Sequence, residues 1–353
     1  MGKFLVRLLL SLAVSAVFIF LSLRHTDLGA VAGAIATAHL WPVLGYLAIL
    51  LFVHLLKTMR WGLLLRPLGP VSFKRLNSAS AVGLMLVVLL PLRLGELARP
   101  LLVARPSAGG EAPLSRSGAL ASCVVERVVD SLAVGVLGIV SLRLLATTGQ
   151  AADFARHAAT LVTIGFAALC MALIAAFFLR EGTVTLIRRV LAPLSRPLAD
   201  RVAKVVDGFL RGLHFGSPVA GLAFLGLTAA YWSLHVLGFW MVATAFDLEI
   251  TGLMACTVLA CQVVGIMIPA GPGMVGTSQF FTQLGLSIFI PGALTVAGVT
   301  ARVAGYANTI WLLQFGQQVL LGLVFLVAGH VSLAGLFKPW KTEPSLPQEG
   351  AEG

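Results

Sequence analysis

Charged residues are scarce in this sequence. They make up 11% of 353 residues, where a soluble domain carries about 25%. Only 14 are acidic, and none falls between Glu249 and Glu343. With 58% hydrophobic residues, this excludes a soluble enzyme. Catalytic signatures are absent as well: there is no HExxH, no GxSxG, no P-loop and no paired loop carboxylates, so no enzyme is expected. Four cysteines, Cys123, Cys170, Cys256 and Cys261, lie in apolar segments with no CxxC pair and no Cys/His cluster. Neither disulfides nor a metal site is implied, and no cofactor is expected. The net charge of +11 does not point to nucleic acid at this apolarity; it places Lys and Arg in loops that face anionic lipid.

What the chain has is long apolar runs. A helix needs about 20 apolar residues to cross a bilayer, and runs near that length occur at 4–23, 40–57, 118–142, 158–179, 218–243 and 306–329. Lys3 and Arg7 precede the first run, but no small-residue cleavage site follows it, so it is read as a span. Two further stretches are broken. Residues 79–91 are short and run into Pro91-Leu92-Arg93-Leu94-Gly95-Glu96; residues 253–290 are interrupted by Pro269-Ala270-Gly271-Pro272-Gly273-Met274-Val275-Gly276. Proline removes backbone donors and glycine permits positive φ, so both read as re-entrant hairpins. The expected fold is all-α: a polytopic membrane helical bundle of about six full spans plus two re-entrant hairpins, filling residues 1–335. Residues 336–353 are expected to be a disordered cytoplasmic tail.

Loop charge tests this arrangement, because Lys and Arg concentrate on the cytoplasmic side. With the N-terminus inside, Lys57, Arg60, Arg66, Lys74 and Arg75 fall in the cytoplasm, and a hairpin at 79–91 keeps Arg93, Arg99, Arg105 and Arg116 there. The seven basic and three acidic residues of 180–211 then also fall inside, and Asp247 and Glu249 outside. A full crossing at 79–91 would reverse all of these signs from Arg93 to Arg211. Span, span, hairpin, span describes about 1–145 and again 158–330 from opposite sides. That is the pattern of an inverted repeat, a transporter feature; the alternative, that any eight apolar segments can be parsed so, stays open. Both termini are expected in the cytoplasm, with the chain in the inner (plasma) membrane. Between 184 and 213, apolar residues recur every three or four positions among Arg and Lys. They read as an interfacial helix on anionic lipid or as a packed cytoplasmic linker.

Few residues in these runs can carry chemistry. Glu126-Arg127-Val128-Val129-Asp130 stands inside the apolar run 119–142, where an ionisable group costs about 3 kcal/mol and persists when paired or functional. Glu126 and Asp130 share one helix face. They read either as headgroup or proton ligands or as part of a buried ion-pair network that locks helices. Arg93 and Glu96, at the exit of the first hairpin, suit a phosphate; Arg99 and Arg105 there read as ordinary anchors. By itself the Arg60-Trp61 pair also reads as an interface anchor. Arg302 lies in an apolar run, and Glu126 or Asp130 across the bundle is its expected partner. The spacing Gly271-x-Gly273-x-x-Gly276 matches a dinucleotide fingerprint but lacks the flanking strand and acidic residue. It reads as a turn within the membrane, with Gln262 and Gln279 as hydrogen-bonding flanks.

Four motifs occur in order: Arg60-Trp61, Pro91-x-Arg93-x-Gly95-Glu96-x-x-Arg99, Glu126-Arg127-x-x-Asp130, and Pro269-x-Gly271-Pro272-Gly273-x-x-Gly276. Together they resemble the lysylphosphatidylglycerol synthase transmembrane family, the flippase-like UPF0104 proteins, over about residues 4–330. In multidomain relatives this unit moves aminoacylated phosphatidylglycerol between leaflets and precedes a cytosolic aminoacyltransferase. The present 353 residues hold no such domain, so the resemblance implies a stand-alone translocator-like unit. The expected function is translocation or handling of a phospholipid or glycolipid headgroup, with Arg60, Arg93, Glu96, Glu126, Arg127, Asp130 and Arg302 as substrate-binding residues. The alternatives are an accessory or catalytic subunit of lipid modification, with a lipid-synthesis enzyme as partner, and a scaffold.

Overall fold

Every apolar run of spanning length among the described residues is helical, as it must be where no water satisfies backbone N–H and C=O groups. The computed structural model describes residues 2–105, 112–147, 179–193, 195–197, 199–200, 202–203, 206–207 and 217–329. In chain order the helices are α1 Gly2–Leu23, α2 Leu28–Ala36, α3 Leu40–Leu65, α4 Phe73–Leu89, α5 Ala98–Val103, α6 Arg116–Thr147, α7 Arg180–Leu191, α8 Pro218–Ala245, α9 Gly252–Met267, α10 Thr277–Ser287 and α11 Ala297–Val327. Side chains mark several starts. Asp27, Ser72, Ser217 and Thr251 each accept a backbone N–H of the first turn of α2, α4, α8 and α9.

Helices α3, α6, α8 and α11 are long and apolar enough to cross a membrane; α1 and α2, bent by 77° at Arg24–Asp27, make a fifth span if taken together. The expected span at 158–179, except Leu179, and the tail at 336–353 lie outside the described residues. Two boundaries differ from the sequence reading. Helix α3 runs through Arg60-Trp61 to Leu65, so the pair sits inside a helix and not at its end. Helix α11 begins at Ala297, well before 306, because Arg302 and Gly305 are tolerated in its first turns.

Both broken stretches fold back on themselves. Helix α4 turns at Leu90 into a short 3-10 segment, Pro91–Leu97, and returns as α5, which packs on α4. Arg75, in the first turn of α4, donates to the carbonyls of Val103 (2.7 Å), Ala112 (3.0 Å) and Arg105. The hairpin's two ends are thus tied together and the chain leaves on the side it entered. At the tip, a Cβ on Gly95 would stand 2.1 Å from the Leu86 carbonyl carbon, so only glycine admits this backbone contact. In the second hairpin, α9 and α10 pack on each other across the turn at Pro269–Gly276. Gly273 (φ 71°) and Gly276 (φ 89°) adopt the left-handed conformations that redirect the chain.

The packing repeats with the halves exchanged. Helix α3 lies against α8, the first hairpin's α4 lies along α11, and the second hairpin's α9 lies along α6. The start of α3 meets the end of α8, where the His39 N–H donates to the Ala245 carbonyl (3.0 Å), so the two run antiparallel. Tyr46, Phe239, Val242, Leu259, Tyr306 and Ile310 form the core between them. Outward faces are apolar: Leu9, Phe20, Phe52, Leu222, Leu320 and Val324 are all exposed. Hydrogen-bonding and charged groups such as Arg60, Glu126, Gln262 and Gln283 are buried. This distribution suits a bilayer as solvent, since lipid tails solvate apolar side chains and not ionised ones.

Candidate functional site

The helix period of α6 sets Glu126 and Asp130 on one face, one turn apart. That face meets Arg60 of α3. The Arg60 guanidinium, fully buried, donates to both oxygens of Asp130 (2.6 and 2.8 Å), to Glu126 Oε1 (2.9 Å) and to Thr228 Oγ1 of α8 (3.3 Å). Its cation lies 4.9 Å from the Tyr231 ring centre and 5.6 Å from that of Phe224. Glu126 Oε2 accepts from Arg99 Nη1 of α5. Trp232 Nε1 donates to Asp130 (3.2 Å), and Lys57 Nζ stands 3.9 Å from it. All four oxygens of the two carboxylates therefore have donors. One buried network joins α3, α5, α6 and α8.

Trp61 holds the network from the neighbouring position on α3. Its ring lies 4.0 Å under the Arg99 cation, and its Nε1 donates to Ser122 Oγ of α6 (2.9 Å). The sequential pair thus divides its labour: Arg60 neutralises the α6 carboxylates and Trp61 stacks the second arginine that reaches Glu126. Below them, His54 Nε2 bonds to Asn77 Oδ1 of α4 at 2.9 Å.

A cavity of about 430 Å³ opens beside this network, within the size range of small-molecule sites. Its first-half wall carries the charge: Lys57, Glu96, Arg99, Glu126, Arg127 and Asp130. Its second-half wall is neutral and rich in amides. There Gln262 donates to Ser278 and to Gln314 (both 3.2 Å), and Gln314 donates to Tyr46 (2.9 Å). At the rim, Arg127 Nη2 lies 2.9 Å from Glu96 Oε1, each side chain about 40% exposed, with Met267 Sδ 3.4 Å from the same nitrogen. The mouth therefore lies between the tip of the first hairpin, α6 and the end of α9. Among the described residues no three His, Cys, Asp or Glu side chains converge on a metal-sized site.

The Pro269–Gly276 turn borders the same cavity through Gly273 and Met274. Trp311 Nε1 donates to the Gly273 carbonyl (2.8 Å), Ser15 of α1 accepts from the Gly271 N–H (2.9 Å), and Gln279 accepts from the Gly276 N–H (2.8 Å). Irregular backbone is thus paired within the protein, as membrane depth requires. Gln279 takes its expected role, whereas Gln262 serves Ser278 and Gln314.

Of the residues expected at the site, Arg60, Glu126 and Asp130 meet in the network, and Glu96 and Arg127 pair at the mouth. The backbone of Arg93 lies in the 3-10 segment, and its side chain is outside the described residues. Arg302 is elsewhere. It lies near the start of α11, exposed, and donates to the Asp247 carbonyl (3.3 Å) at the end of the bundle opposite Arg75. Because α11 starts at Ala297, Arg302 falls in its second turn and reaches the loop after α8, so it does not meet Glu126 or Asp130. Two residues whose local sequence reads as plain anchoring, Arg99 and Arg60, the latter expected at the site only through the resemblance, lie in the network. Arg60 is fully buried near the end of α3, and Arg99 is 6% exposed against Glu126. For Arg99 the signal was its spacing of three from Glu96 on a hairpin already expected to re-enter. For Lys57 it was the spacing of three from Arg60 in an apolar run.

A bundle with lipid-compatible outer faces and a charged cluster beside an internal cavity defines a multi-pass integral membrane protein with an intramembrane polar site. The family model for the lysylphosphatidylglycerol synthase TM region matches residues 8–312, and the chain belongs to that family. This relates it to membrane-lipid modification or flipping. No curated protein and no solved structure matches the chain.

Proposed function

We propose that the protein translocates a lipid between leaflets, holding a phospholipid or glycolipid headgroup in the 430 Å³ cavity while the acyl chains stay in the bilayer. The observation that carries this reading is the cavity's composition. A fixed charged network lies inside it, and Leu97, Val124 and Met267, which line it, are also 40–54% exposed on the lipid-facing surface. A polar headgroup has a place to go and the chains need not leave hydrocarbon. Helix α7, whose Leu186 and Val190 are exposed beside Arg188 and Arg189, fits an anionic lipid surface. The end of the bundle with Arg66, Lys74, Arg75, Arg105 and Arg116 is assigned to the cytoplasmic face of the inner membrane on charge. The protein acts without a catalytic step of its own in this reading.

Leaflet exchange of labelled phospholipids in proteoliposomes tests it. Wild type should accelerate exchange over an inert membrane protein, and Glu126→Gln, which removes the shared counter-ion of Arg60 and Arg99, should abolish the acceleration while the protein stays folded. Wild-type exchange no faster than the inert control for anionic, zwitterionic and aminoacylated lipids would refute the reading.

A further inference from the structure

The charged wall of the cavity has one opening in its hydrogen bonding. Arg99 is 6% exposed, its Nη1 is taken by Glu126, and its face lies on Trp61. Its Nε and Nη2 are buried and have no partner. These two N–H groups share the side edge of the planar fork, the edge that grips two oxygens of one phosphate or carboxylate. Buried donors are nearly always paired, and Arg99 lines the cavity. Gln317 Nε2 on α11, which also lines the cavity, is likewise buried without a partner. Arg60 Nε is also unpaired, but Arg60 lies behind the cavity wall.

Charge points the same way. Among the described side chains that line the cavity, Lys57, Arg99 and Arg127 balance Glu96, Glu126 and Asp130, and Arg60 behind the wall gives the network one positive charge in excess. Every oxygen of Glu126 and Asp130 already has a donor, so a cationic headgroup finds no free carboxylate there, whereas Arg99 keeps two parallel donors without an acceptor.

We propose that the Arg99 Nε/Nη2 edge, with Gln317 as a second donor, is the seat of a phosphate monoanion, so that the cavity selects phosphodiester headgroups and not cationic ones. This rests on the headgroup reading of the cavity above and gives it a charge sign. The neutral amide wall is left to hydrogen-bond uncharged parts of the headgroup.

The test is equilibrium binding to the purified full chain in detergent micelles. The probe is acyl-labelled phosphatidylglycerol; the competitors are a diacylglycerol and a diacyl trimethylammonium-propane lipid with the same chains. A further arm adds inorganic phosphate against chloride at equal ionic strength. Wild type should prefer phosphatidylglycerol by about tenfold or more, the scale of charge-assisted hydrogen bonds. Arg99→Lys keeps the charge facing Glu126 but loses the fork, and should cut that preference by about tenfold. Gln317→Leu, which removes no ion pair, should cut it by about threefold, which keeps the test open if Arg99→Lys does not fold. Phosphate that protects wild type while the lipids bind alike assigns the seat to a soluble phosphate. Equal binding of all three lipids with no phosphate effect, or preference for the cationic lipid, overturns the seat. Exchange in proteoliposomes fails independently: preference without exchange leaves the seat and removes the translocator, and exchange without preference does the reverse.

Discussion

Removing the Arg60 side chain is the sharpest perturbation of the buried network. Arg60→Ala deletes three charge-assisted hydrogen bonds to Asp130 and Glu126 and one to Thr228. It also leaves Asp130 with only Trp232 and the more distant Lys57. Breaking a buried ion pair by removing one partner costs about 3–5 kcal/mol, chiefly because the remaining charge stays desolvated. With an unfolding entropy of about 2.1 cal/mol/K per residue, a chain of 353 residues should lose about 4–7 °C in Tm. Asp130→Asn removes one stranded charge. In the double variant Arg60→Ala/Asp130→Asn the loss should therefore be smaller than the sum of the single losses by about 2 kcal/mol. Tryptophan fluorescence during thermal unfolding in detergent reads this directly, since Trp61 and Trp232 both touch the network. Additivity within about 0.5 kcal/mol, or an unshifted Arg60→Ala, would refute the claim that Arg60 neutralises these carboxylates.

Three further outcomes follow from named contacts. Gly95→Ala puts a Cβ 2.1–2.2 Å from the Leu86 carbonyl group and should undock the first hairpin, seen as loss of folded, monodisperse protein on gel filtration; unchanged yield and Tm would contradict the close approach. Arg302→Ala, at an exposed site far from the cavity, should shift stability by no more than about 0.5 kcal/mol and leave lipid exchange intact. A loss of exchange as large as that of Glu126→Gln would mean that Arg302 belongs to the site after all. Single cysteines at Lys74 and Glu249 should label from opposite sides of the membrane with an impermeant reagent, Lys74 from the cytoplasm; same-side labelling would refute the orientation assigned from loop charge.

The site's working principle is a division between halves. Ionised groups come from α3, α5, α6 and the first hairpin, while the second half answers with amides and a turn whose backbone is hydrogen-bonded from α1, α10 and α11. The ion pairs close within the first half, and the second half meets them only with neutral donors, acceptors and rings of α8, such as Thr228, Tyr231 and Trp232. Relative movement of the halves would then break few ion pairs, which is the energetic condition for an intramembrane cavity to change its access.

Composition alone determined the solvent of this protein. With so few charges and apolar runs of spanning length, backbone polar groups can be satisfied only within helices, so a helical membrane bundle follows without tertiary information. Proline and glycine marked both hairpins, since they act on the backbone locally, and α6 showed its carboxylates on one face because the helical period is local too. Partnership was different. Which arginine meets Glu126 depends on how α3, α5 and α11 cross α6, and no local pattern encodes a crossing. By local pattern alone Arg60 and Arg99 read as anchors, and only the resemblance set Arg60 at the site, because a lone cation near the end of an apolar run has the same sequence signature whether it meets water or a buried carboxylate. Arg302 was assigned to those carboxylates by elimination, and the early start of α11 carried it to the far end. Tertiary packing alone decided that the carboxylates are fully satisfied and that one edge of Arg99 is not, because hydrogen-bond satisfaction is a property of several helices at once.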